Sequence, residues 1–488
     1  MKTRKLTFTL ALFLAMSVGL ALVLSCGNSS SPSPTVRTGS ATVTLSDPPT
    51  CKVPIGDFVS VWVTVTKVRA HISSTADAND GAWVDLADLT SNPMQIDLLN
   101  IGENTCALAT LGSASGLPPG NYQQIRLHLL SNSPGNGVAV PSTNNCGDAG
   151  FNCVVLPGDI KQVLQLSSQD QTGIKIPPGR IAGGAISIEA GQTSDINIDF
   201  SACASVVRQG NGQFRLKPTL HAGEVSLSTD SISGRVIDNA TGQPIPGATI
   251  FVFAEQPDAN DATVDRVIMS RTADSTAGTF SFCPLPSGNY DIVVAAVSGA
   301  GVAYNATITF GVPTGTALAD IPLEPETSAA TSSAQMLGRV STTAADGTAI
   351  GADIAMSAFQ DATPSTMTTP MHVTIPLLPG SSNTFATETG GICDPTTACH
   401  DYVLYVPGSN PKVGTFTTSG TVYAGPATGD ILYSVNAQAF VPGGQGTANC
   451  SPSTVTTSLN DAANPLAVTV GTPVTAETLA FTGCTTGF

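Results

Sequence analysis

Asp195, Asn197 and Asp199 alternate with Ile196, Ile198 and Phe200. In a strand, successive side chains point to opposite faces, so these three oxygen-bearing residues share a face at roughly 7 Å between neighbours. Calcium takes oxygens at about 2.3–2.6 Å, so this row makes a metal site only if a second strand adds ligands. The simpler reading is a solvated outer face. Tyr122, Gln124, Arg126 and His128 alternate with Ile125, Leu127 and Leu129 in the same way. They offer a polar ligand surface, and a plain solvated face is again the simpler reading. Trp62 stands with Ser60, Thr64 and Thr66, opposite Val59, Val61, Val63 and Val65. A flat ring on a polar face stacks on a sugar, yet Val68, Ala70 and Ile72 continue that face and point to a cover over it.

No catalytic residue is nominated. HExxH, P-loop and GxGxxG patterns are absent, and Ala114 fills the nucleophile position of Gly112-Ser-Ala-Ser-Gly116. The five histidines, at 71, 128, 221, 372 and 400, fall in separate parts of the chain and give a Ser-His-Asp arrangement no local support. The chain therefore reads as non-enzymatic, with no cofactor. Asp77-Ala-Asn-Asp-Gly81 reads as a loop, because its glycine is misplaced for an EF-hand.

The N-terminus carries the clearest chemistry. Lys2, Arg4 and Lys5 precede an apolar run from Leu6 to Leu24, and a cysteine follows at Val23-Leu24-Ser25-Cys26. A basic start, an apolar middle and a small residue at the cut make an export signal. An uncleaved anchor is the rival, since the run nearly reaches membrane-spanning length. The Ser-, Pro- and Asn-rich segment Gly27–Arg37 suits a flexible tether after a cut. Of the eleven cysteines, ten then remain, and an even number in an exported chain reads as disulfides. Cys146–Cys153 and Cys393–Cys399 would close short loops, and Cys450–Cys484 would staple the last module. Zinc is the rival at Cys399-His400, but no CxxC pair exists. The pairing of Cys51, Cys106, Cys203 and Cys283 stays open: either a bridge joins the first two units, or thiols remain free.

Composition bounds the architecture. The 488 residues exceed one core, 48 are Gly, 34 are Pro and only 11% are charged. Such a chain suits short strands and tight turns. A net charge of −16 repels phosphate backbones, which excludes nucleic acid as a partner. The fold class is all-β, with multi-domain β-sandwiches behind a cleaved signal peptide. Residues 1–25 form the signal, 26–37 the tether, 38–226 the first unit, 231–325 the second and 335–488 the third. Strands are expected at Ala41–Leu45, Phe58–Ile72, Gln123–Leu130, Val163–Leu166, Ala185–Glu189, Asp195–Phe200 and Gln213–Pro218. In the third unit they are expected near Tyr402–Val406, Thr415–Tyr423, Ile431–Phe440 and Leu466–Val470. Gly338-Arg-Val340, Gly347 and Ile350 echo Gly234-Arg-Val236, Gly242 and Ile245, an offset of about 104 residues, fitting one sandwich. Three units with their own cores, beads on a tether with a hinge at Thr327–Ala334, is the expected arrangement.

Three resemblances sharpen this. Val23-Leu-Ser-Cys26 resembles the lipobox of bacterial lipoproteins, which implies acylation of Cys26, and Gly27 favours the outer membrane of a Gram-negative-type bacterium. Val43-Thr-Leu-Ser-Asp-Pro48, Val65-Thr-Lys-Val68, Trp83-Val-Asp-Leu86, Ile96-Asp-Leu-Leu99, Pro119-Gly-Asn-Tyr122, Asp199-Phe200 and Leu216-Lys-Pro218 together resemble a lipoprotein domain known as domain of unknown function 4382. Ser231–Ile237, Asn239–Gly247, Thr249–Phe253, Gly278–Phe282 and Leu285–Val294 resemble the carboxypeptidase regulatory-like domain, a small transthyretin-like sandwich. The implied protein is a lipid-anchored binding or structural protein of the cell envelope. Its partners would be the membrane, through the N-terminal lipid, and a polysaccharide or an outer-membrane protein. A carbohydrate-binding lipoprotein of a glycan-capture system is the sharper alternative, and a hydrolase assembled across domains the remote one.

Overall fold

The computed structural model describes residues 37–47, 58–101, 108–167, 170–209, 211–217, 220–225, 231–258, 261–283, 285–326, 333–390, 392–425, 428–441, 450–452, 454–457 and 465–485. The Leu6–Leu24 run, Cys26, Cys51, Cys106 and the side chain of Cys203 lie outside these residues. Among the described residues no helix is long and apolar enough to cross a membrane. Apart from four 3-10 turns and one helical turn at Ala202–Ser205, the described chain is strands, turns and loops.

The first unit is built where alternating sequence lets each strand bury one face. Gly39–Ser46 pairs in parallel with Thr193–Phe200 and antiparallel with Ala109–Leu117, and Leu220–Glu224 closes one edge of this sheet. A larger sheet grows from Ser60–His71, which pairs with Val84–Asp88, Met94–Asp97, Gln124–Leu129 and Cys153–Leu156. Val43, Leu45, Ile196 and Ile198 of the first sheet share one core with Val61, Val63, Val65, Ile125 and Leu127 of the second. Each such side chain stabilises by about 1.5–3 kcal/mol when fully buried.

The echo between the later units has a packing reason. Gly234 lies on Ile232–Asp238 and Gly338 on Ser333–Thr342. A Cβ at Gly234 would meet the Phe280 ring at 2.8 Å, and one at Gly338 would collide with the Tyr402 ring and hydroxyl. In both units a glycine lets an aromatic from the next strand lie across it. Arg235 pairs with Asp320 and Arg339 with Asp401, while Val236 and Val340 are fully buried.

Two expectations require correction. The segment Thr415–Tyr423 is not one strand. Lys412–Thr415 and Val422–Ala424 are the arms of a hairpin, and Gly420 at φ 116° lies in its turn. Nor do the later units stand as separate beads. Lys412–Thr415 adds in parallel to Thr307–Pro313, extending the second unit's sheet of Asp265–Thr272, Thr249–Pro257, Asn289–Val297 and Thr307–Pro313. The Lys412 amide donates to Ala306 O and the Phe416 amide to Phe310 O, both at 2.8 Å. Lys412 Nζ meets Glu324 Oε1 at 2.5 Å. Val293, Ala306, Ile308 and Phe310 belong to the same apolar cluster as Met336, Ile354 and Leu404. The edge strand of a small sandwich has unpaired N–H and C=O groups, and the third unit covers them. Residues 327–332 of the expected hinge lie outside the described residues. Ser333 and Ala334 already belong to a strand, with Ala334 fully buried.

Candidate functional site

The acidic row does not face solvent. Asn197 and Asp199 are buried and Asp195 is half-buried. Thr44 Oγ1 donates to Asn197 Oδ1 at 3.2 Å, Asn197 Nδ2 to Ser46 Oγ at 2.9 Å, and Ser46 Oγ to Asp199 Oδ1 at 3.0 Å. Asp47 Oδ1 accepts the Ala202 amide at 2.7 Å. Burial pushes Asp199 up to about 6, against Arg271 and the Ser46 hydroxyl, which pull it down. Burial raises Asp47 well above the usual carboxylate range, with the Ala202 amide opposing. Arg271 belongs to Asp265–Thr272 of the second unit, and Gly223 is packed so closely on Pro286 that a Cβ would clash. The second unit covers this face, which corrects the solvated-face reading. Among the described residues, no three His, Cys, Asp or Glu side chains stand where one ion could be held.

Tyr122, Gln124, Arg126 and His128 do not form one open face either. Tyr122 lies on a separate two-stranded sheet and donates to Pro118 O at 2.8 Å. Gln124 and Arg126 are buried: Gln124 Nε2 and Arg126 Nη2 both donate to Ala76 O, and Arg126 Nη1 donates to Thr172 O. The loop after His71 folds across them, tied by Trp83 Nε1 to Asp77 O at 2.9 Å. Arg69 and Arg126 lie 5.3 and 5.2 Å from the Trp83 ring centre. Burial, then Arg69 and Arg126, push His128 down to about 4. These residues hold a loop. Trp62 is half-buried, in register with Asp97 and Cys153. Bridges join Cys146 to Cys153, Cys393 to Cys399 and Cys450 to Cys484. Cys283 is disulfide-bonded as well. His400 stacks on Phe385 at 4.6 Å.

Sequence reasoning missed the two places where charge is buried between units. At the first, Arg215 and Lys217 leave the same face of Phe214–Leu216 and its continuation toward Asp353, Gln438 and Phe440 of the third unit. Arg215 pairs with Asp353 through Nε at 3.0 Å and through Nη2. Lys217 is 1% exposed, its Nζ lies 4.8 Å from the Phe440 ring centre, and that Nζ has no hydrogen-bond partner among the described residues. Arg180 donates to Gln438 Oε1 at 3.0 Å and lies 5.5 Å from the same ring. Three cations thus surround one carboxylate and one ring. Burial, then Arg180, push Lys217 down to about 7, and burial pushes Arg180 down to about 10.

The second place carries the opposite charge. Irregularities in pairing fall at Ala254/Glu255 and between Tyr290 and Ile292, and such bulges re-aim side chains. They bring Glu255, Asp265 and Asp291 together beneath Met371–Ile375 of the third unit. The Thr374 amide donates to Glu255 Oε2 at 3.0 Å and Thr374 Oγ1 to Asp265 O at 3.2 Å. The Gly311 amide donates to Asp291 Oδ1 at 2.7 Å. Glu255 and Asp265 are fully buried, and among the described residues Glu255 Oε1 and both Asp265 carboxylate oxygens meet no N–H or O–H donor. Asp265 instead faces the Asp291 carboxyl. Burial, then Asp265, raise Glu255 well above the usual range; burial, then Asp291, raise Asp265; burial raises Asp291 against the Gly311 amide. The only sequence signal was a lone acid in each of three apolar strands, which normally marks an exposed edge.

Beside the cationic junction a cleft of about 450 Å³ opens between the first and third units. Gln209 and Arg215 line one wall, and Gly351, Ala386, Thr387, Glu388 and Thr389 the other. Gln209 Oε1 has no hydrogen-bond partner among the described residues.

Residues 38–218 match the family described as Domain of unknown function (DUF4382), and residues 231–324 match the Carboxypeptidase regulatory-like domain. The chain carries a DUF4382 domain followed by a carboxypeptidase regulatory-like domain. The DUF4382 match runs to residue 218 and so includes Arg215 and Lys217, and the regulatory-like domain supplies Glu255, Asp265 and Asp291. No curated protein matches the chain. Solved structures similar to it include the Bacillus anthracis TIE protein, 10% identical over 91% of this chain and 50% of that one, with a TM-score of 0.15. The chain thus spans half the length of that protein. The shaft pilin SpaA from Lactobacillus rhamnosus GG is 10% identical over 59% of this chain and 98% of its own, with a TM-score of 0.17. A DUF3823 family protein from Bacteroides uniformis is 12% identical over 44% and 90%, with a TM-score of 0.16. At such TM-scores these likenesses carry no argument about function.

Proposed function

We propose that the protein is a non-catalytic binding or structural protein of the cell envelope, held to the membrane by a lipid on Cys26. The observation that carries this reading is the sheet shared by the regulatory-like domain and the third unit. A chain whose later units are joined through a continuous hydrogen-bonded ladder is suited to hold a surface at a fixed distance and orientation. The basic start, the apolar run and Cys26 supply the attachment, and the outer membrane of a Gram-negative-type bacterium is the proposed location. Replacing Cys26 by Ala should release the protein from membranes or stall its processing. A C26A variant that fractionates with membranes and is processed like the wild type would overturn the lipid anchor.

A second reading has the cleft take a polysaccharide segment. Its walls offer an amide, a guanidinium, a carboxylate and the exposed hydroxyl of Thr389, a donor and acceptor set that matches sugar hydroxyls. A polysaccharide pull-down with the ectodomain tests it. Retention that is lost in Q209A and E388A supports the reading, and no retention on any polysaccharide removes it.

A further inference from the structure

The fully buried Glu255 and Asp265, with the half-buried Asp291 beside them, cannot all be ionised without counter-charge, since an isolated buried charge costs several kcal/mol. Arg266 supplies some counter-charge, but its pull on Glu255 is weaker than the burial and the neighbouring Asp265 and Asp291 that oppose it. Arg266, next to Asp265, places Nε 3.3 Å from Asp258 and its guanidinium 5.3 Å from the Phe359 ring centre. Asp261 is bonded to Thr263, and His372 Nδ1 lies 2.5 Å from Asp361 Oδ1. A single metal ion does not fit these side chains either. Two facing carboxyls attract each other only when a proton lies between them, so protons must neutralise the cluster.

The cluster also sits at a joint. Every contact described above from Thr374 ends on Glu255 or Asp265, and the neighbouring His372 amide donates to Thr263 O at 2.8 Å. We propose that Glu255, Asp265 and Asp291 form a proton-dependent latch: protonated, they hold Met371–Ile375 of the third unit against the regulatory-like domain, and ionised, they release it. The docked state binds protons that the open state gives up. Docking is therefore complete below the ordinary carboxylate range and weakens as pH rises toward the raised values of the buried groups. The Lys412–Thr415 pairing lies on another edge of the sheet and is expected to persist, so the release is local.

Amide hydrogen exchange on the full-length protein tests this, with rates corrected for the intrinsic pH dependence. Between about pH 5 and about pH 9, protection of the Thr374 and His372 amides should fall at least about tenfold relative to Val340 and Leu404. D265N and E255Q should each flatten that fall, and if D265N does not fold, E255Q carries the comparison alone. Constant protection in the wild type overturns the latch, as does a fall undiminished in the folded variants. Restoration of protection at high pH by added calcium would also overturn it, by assigning the cluster to a metal.

Discussion

The third unit meets its two neighbours through charge of opposite sign, and the two joints solve the same problem differently. Against the DUF4382 domain, the surplus is positive: Arg180, Arg215 and Lys217 around Asp353 and Phe440. An aromatic face and the depressed ionisation of Lys217 relieve it. Against the regulatory-like domain, the surplus is negative, and protons relieve it. A guanidinium stays charged at any biological pH, so the first joint is held by geometry. Carboxyls change state over a few pH units, so the second joint is adjustable. Desolvation dominates both, but of the three cations at the first joint only Lys217 is pushed toward neutrality, whereas every carboxyl at the second can change state.

The largest test removes the ring. F440A deletes a buried aromatic and uncovers Lys217 and Arg180, and should lower unfolding free energy by about 3–5 kcal/mol in chemical denaturation. Thr374 protection at about pH 5 should survive in any population that still folds, since that joint is separate. Next, D353N strips the one carboxylate from Arg215 and should cost about 3 kcal/mol. A cost below roughly 1 kcal/mol would mean the pair behaves like a surface bridge. T374V keeps the backbone bond to Glu255 but removes the hydroxyl bond to Asp265 O, and should cost about 1 kcal/mol.

The smallest effect has the opposite sign. K217M should stabilise on the order of 1 kcal/mol below neutral pH, because it replaces a buried cation that has no hydrogen-bond partner among the described residues. Lys217 has a depressed value of about 7, so the wild type recovers stability as pH rises from there toward the ordinary lysine range. The difference between K217M and wild type should shrink over that window, while the difference between E255Q and wild type grows from the carboxylate range upward. Parallel pH profiles for the two variants would end the distinction drawn between the joints.

Much of the strand plan was legible because alternation is a local property. The rows Val61, Val63, Val65 and Ile196, Ile198, Phe200 declare a buried face without any knowledge of what covers it. The glycine-arginine-valine echo was legible for the same reason. Gln124, Arg126, Asn197 and Asp199 were misread because alternation tells which residues share a face and says nothing about a second cover on the polar side. The loop at Ala76 and the strand carrying Arg271 come from distant sequence. The charge clusters were invisible on the same ground: Asp353 and Arg215, or Glu255 and Thr374, are brought together only by the docking of whole units.

The added strand Lys412–Thr415 sets a rule for anyone cutting the gene. A fragment ending after Pro325 retains the complete regulatory-like match yet leaves Thr307–Pro313 as a bare edge, with its backbone amides and carbonyls open to the next molecule. Glu324 loses Lys412 at the same stroke. Such a fragment should precipitate or pair edge to edge during purification, whereas one extended through the Lys412–Ala424 hairpin and the strands that carry it should stay monodisperse. The unit of inheritance in this chain is shorter than the unit of solubility.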